Sequence, residues 1–534
     1  MNFRAFLFCI VLLQPFLALG QNPQPKLILI LTIDQGRGDY LERFRPVLRY
    51  GLLDLIKKGV VFDNVQHLHA NTVTASGHAS LSTGRHPRHS GMVGNDWYER
   101  KENKLVYCVS DPESAILPPA NSKRTSLGGR SPKRLLTDGL GDWIQNKNSN
   151  SKVYSIGGKD RSSIVMGGQK ADGVYWFDPV NGQWVTSHHY TKSYPVWVNT
   201  VHSESLSGAY LGQDWNPIAV SDETLREMDI IPSEFSYQIG ERSKKPDQSF
   251  YTDLYESPFI ESYLLNFAEK LVRNEKLGSD TLPDILALSF SSVDAVGHLF
   301  GPNSRELLDT IIRLDRNLGN FFTLIDELIG IEHVAIALSA DHGVAPLPEH
   351  QTNGKHKGRR LSKTDEDCFK QAQKSFENKF GKGWFVYPYT FDYNRLQQKK
   401  TSRIKLENFL AKELKRCSSV EAVWTRTDIE NNAIPITSQN SKLELYRNSF
   451  HLDRSPDLFI QLRKGYMSRQ SGTTHGSPYI YDRDVLAILF WPGIKNSTVS
   501  EQIYTVDLSV TLASLLGIPI PGNVDGLDRS KLLQ

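Results

Sequence analysis

Three aspartates and three histidines recur at one kind of place in this chain, just beyond or beside a short apolar run. Asp34 follows Leu29–Ile33, Asp294 and His298 follow Leu286–Phe290 in a D-x-x-x-H spacing, and Asp341-His342-Gly343 follows Ala335–Leu338. His475 lies in a Gly/Ser/Thr-rich loop before the last apolar run. One Asp after a strand is ordinarily a turn or cap residue, and one His is ordinarily a core or surface residue. Six of them gathered at strand ends point elsewhere. Carboxylate and imidazole suit zinc, which takes N and O donors at low coordination number. Six such ligands are enough for two ions sharing a bridging substrate.

A hydroxyl that such ions could activate lies in the stretch NTVTASGHASLSTGR, residues 71–85. Ala75–Ser82 reads as a helix opened by Thr74 as N-cap and closed by Gly84. A hydroxyl at a helix N-terminus also sits where backbone amides and the dipole favour an anion. Beside a zinc ion its proton is more easily lost. Thr72 is the competing hydroxyl. Ser76 and Ser80 are expected to pack on the helix, and His78 to be structural. Lys159-Asp160-Arg161 follows a further apolar run. Taken alone it reads as a solvated loop with a local ion pair. A Lys and an Arg so spaced could also hold the oxygens of a phosphate monoester dianion, with Arg forking onto two of them.

Five apolar runs must position these residues: Lys26–Ile33, Lys152–Ile156, Asp284–Phe290, His333–Leu338 and Asp484–Trp491. Each reads as a buried parallel strand. Helical patterns fall at Arg49–Lys58, Leu136–Asn146, Ile260–Asn274, Ser304–Leu328 and Val506–Leu516. Strands alternating with helices predict an α/β fold, a mostly parallel sheet flanked by helices on both faces. Ligands then sit beyond the carboxyl ends of the strands. The long gaps, about 91–252 and 354–460, read as insertions forming a cap, with hairpin material at Gly168–Val185.

The chain has 534 residues, 39% hydrophobic and 23% charged, which excludes disordered, collagen-like and coiled-coil classes. Lys plus Arg (62) against Asp plus Glu (59) leaves +3, which argues against nucleic acid as the main partner. Arg4, the apolar run Ala5–Leu13 and the small-residue end Ala18-Leu19-Gly20 have the layout of a secretory signal peptide over residues 1–20. Gln14-Pro15 interrupts the run, so no membrane anchor is expected. The expectation is a periplasmic or secreted protein, with residues 21–534 as one catalytic domain. Beyond Cys9 the cysteines are Cys108, Cys368 and Cys417, and the odd count suggests one bridge. Cys368–Cys417 is preferred, because both fall in one insertion.

Asp34, the T-x-x-x-H-x-S-L-x-T-G stretch Thr74–Gly84, Asp294-x-x-x-His298, Asp341-His342-Gly343 and His475, in that order, resemble the alkaline phosphatase superfamily of two-zinc enzymes. With Lys159-Asp160-Arg161 and with Asn95 in Gly94-Asn95-Asp96, the pattern is most similar to the PafA-type bacterial alkaline phosphatases. The resemblance implies an alkaline-phosphatase-like core and a monomeric, exported zinc phosphomonoesterase acting on small phosphate monoesters. It implies Thr74 as nucleophile, forming a phosphothreonine beside one zinc. It puts Asp294, His298 and His475 on one Zn2+ and Asp34, Asp341 and His342 on the other, next to Thr74, which it counts among the metal-binding residues. Asn95, Lys159 and Arg161 would contact the phosphoryl oxygens. Sulfatases need Cys or Ser in a C/S-x-P-x-R context, which Thr74-Ala75-Ser76-Gly77-His78 does not offer. The nearer rival is the nucleotide pyrophosphatase/phosphodiesterase branch. The rival from another class is a non-catalytic metal-binding surface protein.

Overall fold

A seven-residue strand, LILILTI, runs through the middle of the molecule with almost every side chain buried. A strand apolar on both faces is stable only where helices cover both sides of its sheet, and each Leu so buried contributes about 2 kcal/mol. The computed structural model describes residues 24–119, 128–350, 357–437 and 441–533. The expected signal segment 1–20 lies outside them.

Nine strands form the main sheet: β1 (Leu27–Ile33), β2 (Val60–Phe62), β3 (Val153–Gly157), β4 (Gly173–Asp178), β5 (Gln183–Val185), β6 (Asp284–Phe290), β7 (Val334–Ser339), β8 (Ala487–Phe490) and β9 (Ser497–Val499). Their order is β5-β4-β3-β6-β1-β7-β8-β2-β9. From β4 to β7 all neighbours are parallel. The run at 484–491, expected to be parallel, is instead antiparallel to both β7 and β2, and only Ala487–Phe490 pairs. An apolar run shows burial and not direction. The expected strand at Lys152–Ile156 is the parallel β3, and beyond it the β4–β5 hairpin, expected as part of an insertion, extends the main sheet itself.

The flanking helices are α1 (Gly51–Lys58), α2 (Thr74–Thr83), α3 (Leu140–Lys147), α4 (Asp160–Gly167), α5 (Phe259–Glu275), α6 (Ser292–Phe300), α7 (Arg305–Ile329) and α10 (Thr505–Leu515), with α8 (Lys363–Phe380) and α9 (Arg403–Leu414) in the later insertion. Leu81 of α2, Met166 of α4 and Leu508 of α10 pack on Ile30 and Ala287 of the sheet. A second set, α1, α5, α6 and α7, packs together. Helix α3 starts at Leu140 rather than Leu136, because Gly139 is its N-cap and donates its N–H to Asp142 Oδ2 at 2.8 Å.

The later insertion has its own apolar core, with Phe376, Trp384, Phe391, Leu406 and Leu410 buried together. The strands Val420–Thr425 and Leu458–Leu462 pair antiparallel beside it. Cys368 of α8 is joined to Cys417 just after α9, across 49 residues, while Cys108 is a buried free thiol. Loop-closure entropy for a ring of that size is about 4 kcal/mol. Cys417→Ser should therefore loosen α8 and α9 first. Limited proteolysis should show cleavage within 363–460 well before the main sheet is cut. A proteolysis pattern and melting temperature equal to wild type would show that the small core holds without the bridge.

Candidate active site

Strands β3, β6, β1 and β7 lie side by side and end level with one another. Thr32 of β1 is in register with Ser289 of β6 and with Ser339 of β7, and Gly157 of β3 with Ser289. Each strand delivers a charged residue at that edge: Lys159 after β3, Asp294 after β6, Asp34 after β1 and Asp341 after β7. Asp294 and His298 stand one turn apart on α6, so both face the same point. The loop ahead of β8 brings His475 to the same place.

The histidines show what belongs between these groups. His298 Nδ1 lies 2.8 Å from the carbonyl of Thr473, and His475 Nδ1 lies 2.8 Å from that of Thr72. A carbonyl accepts only, so these contacts place the proton on each Nδ1 and leave each Nε2 its lone pair, although Arg469 Nη1, itself a donor, also lies 3.2 Å from His298 Nδ1. Those two Nε2 atoms nevertheless face each other at 3.2 Å, with Asp294 Oδ1 at 3.3 and 3.6 Å. His342 Nδ1 meets the carbonyl of Gly343 at 3.0 Å, and its Nε2 lies 3.4 Å from both Asp34 Oδ1 and Asp341 Oδ2. Neither His342 Nε2 nor Asp34 Oδ1 has a hydrogen-bond partner, and both residues are fully buried. Donor atoms about 2.1 Å from a tetrahedral ion stand about 3.4 Å apart. The spacing, the bare lone pairs and the N/O donors together fit two divalent cations. The backbone carbonyls fix the ring tautomers as metal-binding histidines require.

The groups are Asp294, His298 and His475 in one case and Asp34, Asp294 and His342 in the other, so Asp294 reaches both. The expected partition counts Asp294 with the first group, and Asp341 with Asp34 and His342 in the second. Asp341 stands beside the second group: its Oδ2 has no hydrogen-bond partner and lies 3.4 Å from His342 Nε2. The Gln35 N–H donates to its Oδ1 at 3.1 Å, and its Oδ2 is 3.1 Å from His78 Nδ1.

Electrostatics follow from the burial of three carboxylates together. Burial, reinforced by Asp341, pushes the Asp34 carboxyl well above the usual range. Burial would discharge Lys159, but Asp294 and Asp34 outweigh it and hold the ammonium protonated. Its Nζ donates to Asp34 Oδ2 and Asp294 Oδ2 at 2.6 Å each. Burial also lowers the His298 and His475 pKa values, with His342 adding to the effect at His475, which keeps both rings in the neutral, ligating form.

Thr74 is not the cap but the first residue of α2. Extended Val73 precedes it, and the Ser76 hydroxyl accepts the Val73 N–H at 3.3 Å. Gly84 closes the helix at φ 63°. The Asn95 side-chain oxygen accepts the Ala75 N–H at 3.0 Å. Around Thr74 Oγ1 lie Lys159 Nζ at 3.5 Å and an Arg161 guanidinium nitrogen at 3.4 Å. Thr72, the rival hydroxyl, donates instead to the Ser477 carbonyl. Mid-helix His78 bridges the Thr74 carbonyl and Ser289 Oγ at 2.9 Å each.

Supporting residues were hidden in the sequence. Gln35, with φ 71°, donates from Nε2 to Asp294 Oδ1 at 2.8 Å while its backbone holds Asp341. Arg161 also donates to the Tyr107 hydroxyl at 3.3 Å, and Asp160 ties Tyr107 to Arg130. Gly77 of α2 leaves no room for a side chain, because a Cβ there would stand 1.9 Å from the Asp341 carbonyl oxygen. The signal for Gly77 was the glycine inside the helical stretch. Gln35 and Tyr107 had no signal of their own.

Comparison with known proteins agrees with this geometry. Residues 28–480 match the family model for type I phosphodiesterase / nucleotide pyrophosphatase. The alkaline phosphatase PhoV of Synechococcus elongatus is 32% identical over 96% of this chain and 93% of its own. The alkaline phosphatase PafA of Elizabethkingia meningoseptica is 33% identical over 94% of each chain. A crystal structure of alkaline phosphatase PafA superposes with a TM-score of 0.84 at 30% identity, covering 96% of this chain and 99% of that one. The chain belongs to the type I phosphodiesterase / nucleotide pyrophosphatase family of the alkaline phosphatase superfamily, and it is a phosphoesterase.

Proposed function

We propose that this protein is an exported, zinc-dependent phosphomonoesterase that releases inorganic phosphate through a phosphothreonine at Thr74. The observation that carries the reading is the pair of cationic donors, Lys159 and Arg161, converging within 3.5 Å of Thr74 Oγ1 beside both donor groups. A monoester dianion has three non-bridging oxygens and no second organic arm, so a cationic wall suits it better than an apolar slot. Two of the three Lys159 protons are held by Asp34 and Asp294, and the third faces Thr74. Asn95, whose oxygen is occupied by Ala75, has its amide nitrogen left to donate. Arg161 is held by the Tyr107–Asp160–Arg130 chain and can fork onto two oxygens.

Zinc is the preferred ion for N/O donors at tetrahedral spacing, and bound there it would supply Lewis-acid stabilisation of charge on the nucleophile and on the leaving oxygen. Asp294, His298 and His475 would hold one ion. Asp34, His342 and Asp341, with Asp294 in reach, would hold the other. Thr74 Oγ1, at the α2 N-terminus, forms a bond to phosphorus as the bond to the leaving oxygen breaks. Its proton is lost more readily beside two cations. Water then cleaves the phosphothreonine, which restores the hydroxyl and frees phosphate. Export rests on the leader-like residues 1–20. Among the described residues no helix is long and apolar enough to cross a membrane. The substrates would be small phosphate monoesters, the protein a monomer and nucleic acid no partner. The family's name, type I phosphodiesterase / nucleotide pyrophosphatase, keeps phosphodiesterase activity as the second reading.

Thr74→Ala should abolish most turnover on an aryl phosphate monoester while leaving zinc content, measured by plasma mass spectrometry, near wild type. Near wild-type turnover would move the nucleophile to Thr72.

Asp294→Ala should empty both metal groups, whereas His298→Ala should empty only its own. Equal metal contents in the two variants would show that Asp294 serves one ion.

The Lys159→Ala, Arg161→Ala double variant should lose about two to three powers of ten in kcat/KM on the monoester. Its loss on the matching methyl diester should be much smaller. Equal losses would mean that the pair supports the fold or the metals, and a wild type preferring the diester would establish the second reading.

A further inference from the structure

A cavity of about 310 Å3 is lined in part by residues that adjoin the site residues in the chain, and its walls come from two sources. On the core side are Asn71, Asp96 and Gly476. Asn71 lies three residues before Thr74, Asp96 follows Asn95, and Gly476 follows His475. The cavity is thus a continuation of three segments that build the site. The Asn71 side-chain NH2 donates to the Val93 carbonyl at 2.7 Å, which fixes the two inner walls to each other. Gly476 has φ 104°, and a Cβ built on it would meet nothing nearer than Val73 Cγ1 at 3.4 Å. Bare backbone therefore separates His475 from the cavity.

On the other side the later insertion supplies rings. Tyr387 stands on its rim, 38% exposed, with Phe459 and Tyr446 further in, their ring centroids 5.5 Å apart and tilted by 59°. The polar groups of the lining are largely occupied. Arg454 is bound to Glu99 and to the Gly91 and Arg134 carbonyls, and the Thr390 hydroxyl donates to the Pro388 carbonyl. A polyhydroxylated leaving group would lose its hydrogen bonds to water here and regain few. The carboxylate of Asp96 opposes one that carries further phosphates. A flat ring finds aromatic faces and a volume at the small end of ligand pockets.

We infer that this cavity is a leaving-group subsite for phosphate monoesters whose alcohol carries a single aromatic ring system. The inference rests on the phosphomonoesterase reading and adds its substrate class. The position fits the role. Asn71, Asp96 and Gly476 put the cavity next to the segments of Thr74, Asn95 and His475, where the departing group of a bound ester would extend.

Benzyl and ethyl phosphate test this on the zinc-loaded chain, because both release simple primary alcohols and differ in the ring. Wild type should favour benzyl phosphate in kcat/KM by about tenfold, the size of one good aromatic contact. Tyr387→Ala should bring the ratio towards one, and Tyr387→Phe should restore it, since stacking needs the ring and not the hydroxyl. A non-reacting pair, benzylphosphonate and methylphosphonate, should show the same order in Kd by calorimetry. A wild-type ratio near one in both measurements would overturn the subsite, as would a ratio that Tyr387→Ala leaves unchanged. Hydrolysis of neither ester would defeat the phosphomonoesterase reading, and the phosphonate affinities would still decide the subsite.

Discussion

Three carboxylates, Asp34, Asp294 and Asp341, are buried within reach of one another at the edge of a sheet. Such a cluster repels itself and resists desolvation unless cations join it. Lys159 supplies one positive charge through two short bonds. The remaining donors, unpaired oxygens and bare imidazole nitrogens, ask for more charge than one ammonium can give. Most of the surrounding architecture serves this cluster. Gln35 accepts an unusual backbone angle to hold Asp294 and Asp341, and His78 is buried beside Asp341.

Parallel strands make the cluster possible. Neighbours in parallel register end at the same level, so residues far apart in sequence arrive together without a dedicated scaffold. The antiparallel β8 fits this plan, because the loop before it must reach the carboxyl edge of β7, and a strand that starts at that edge runs the opposite way. The loop carrying His475 is delivered by that reversal.

Much of this was legible in the sequence, and the limits have physical causes. The central strands β1, β6 and β7 could be read because residues buried on both faces form unbroken apolar runs, followed by an Asp. Strand β2 could not, since three residues carry no period, and β8 could be located but not oriented. The hairpin β4–β5 was recognisable from its turn, yet nothing local shows that it joins the main sheet. Thr74 could be placed at the start of its helix, although the extended residue before it, and not the threonine, is the cap. That Asp294 also stands within reach of Asp34 and His342 was not legible, because a D-x-x-x-H spacing fixes one face of a helix and not what stands across from it. Gln35 and Tyr107 act through bonds to partners distant in the chain, which no spacing reveals.

The contact at Gly77 bears on how freely residue 74 can vary. Helix α2 presses its backbone against the backbone of the Asp341 loop, with no side chain between them. The distance from Thr74 to the donor groups is therefore set by main chain against main chain. A ruler made this way does not depend on what residue 74 is. Another hydroxyl or a thiol placed there would inherit the same separation, so the chemistry of the attacking atom can change while its address stays fixed.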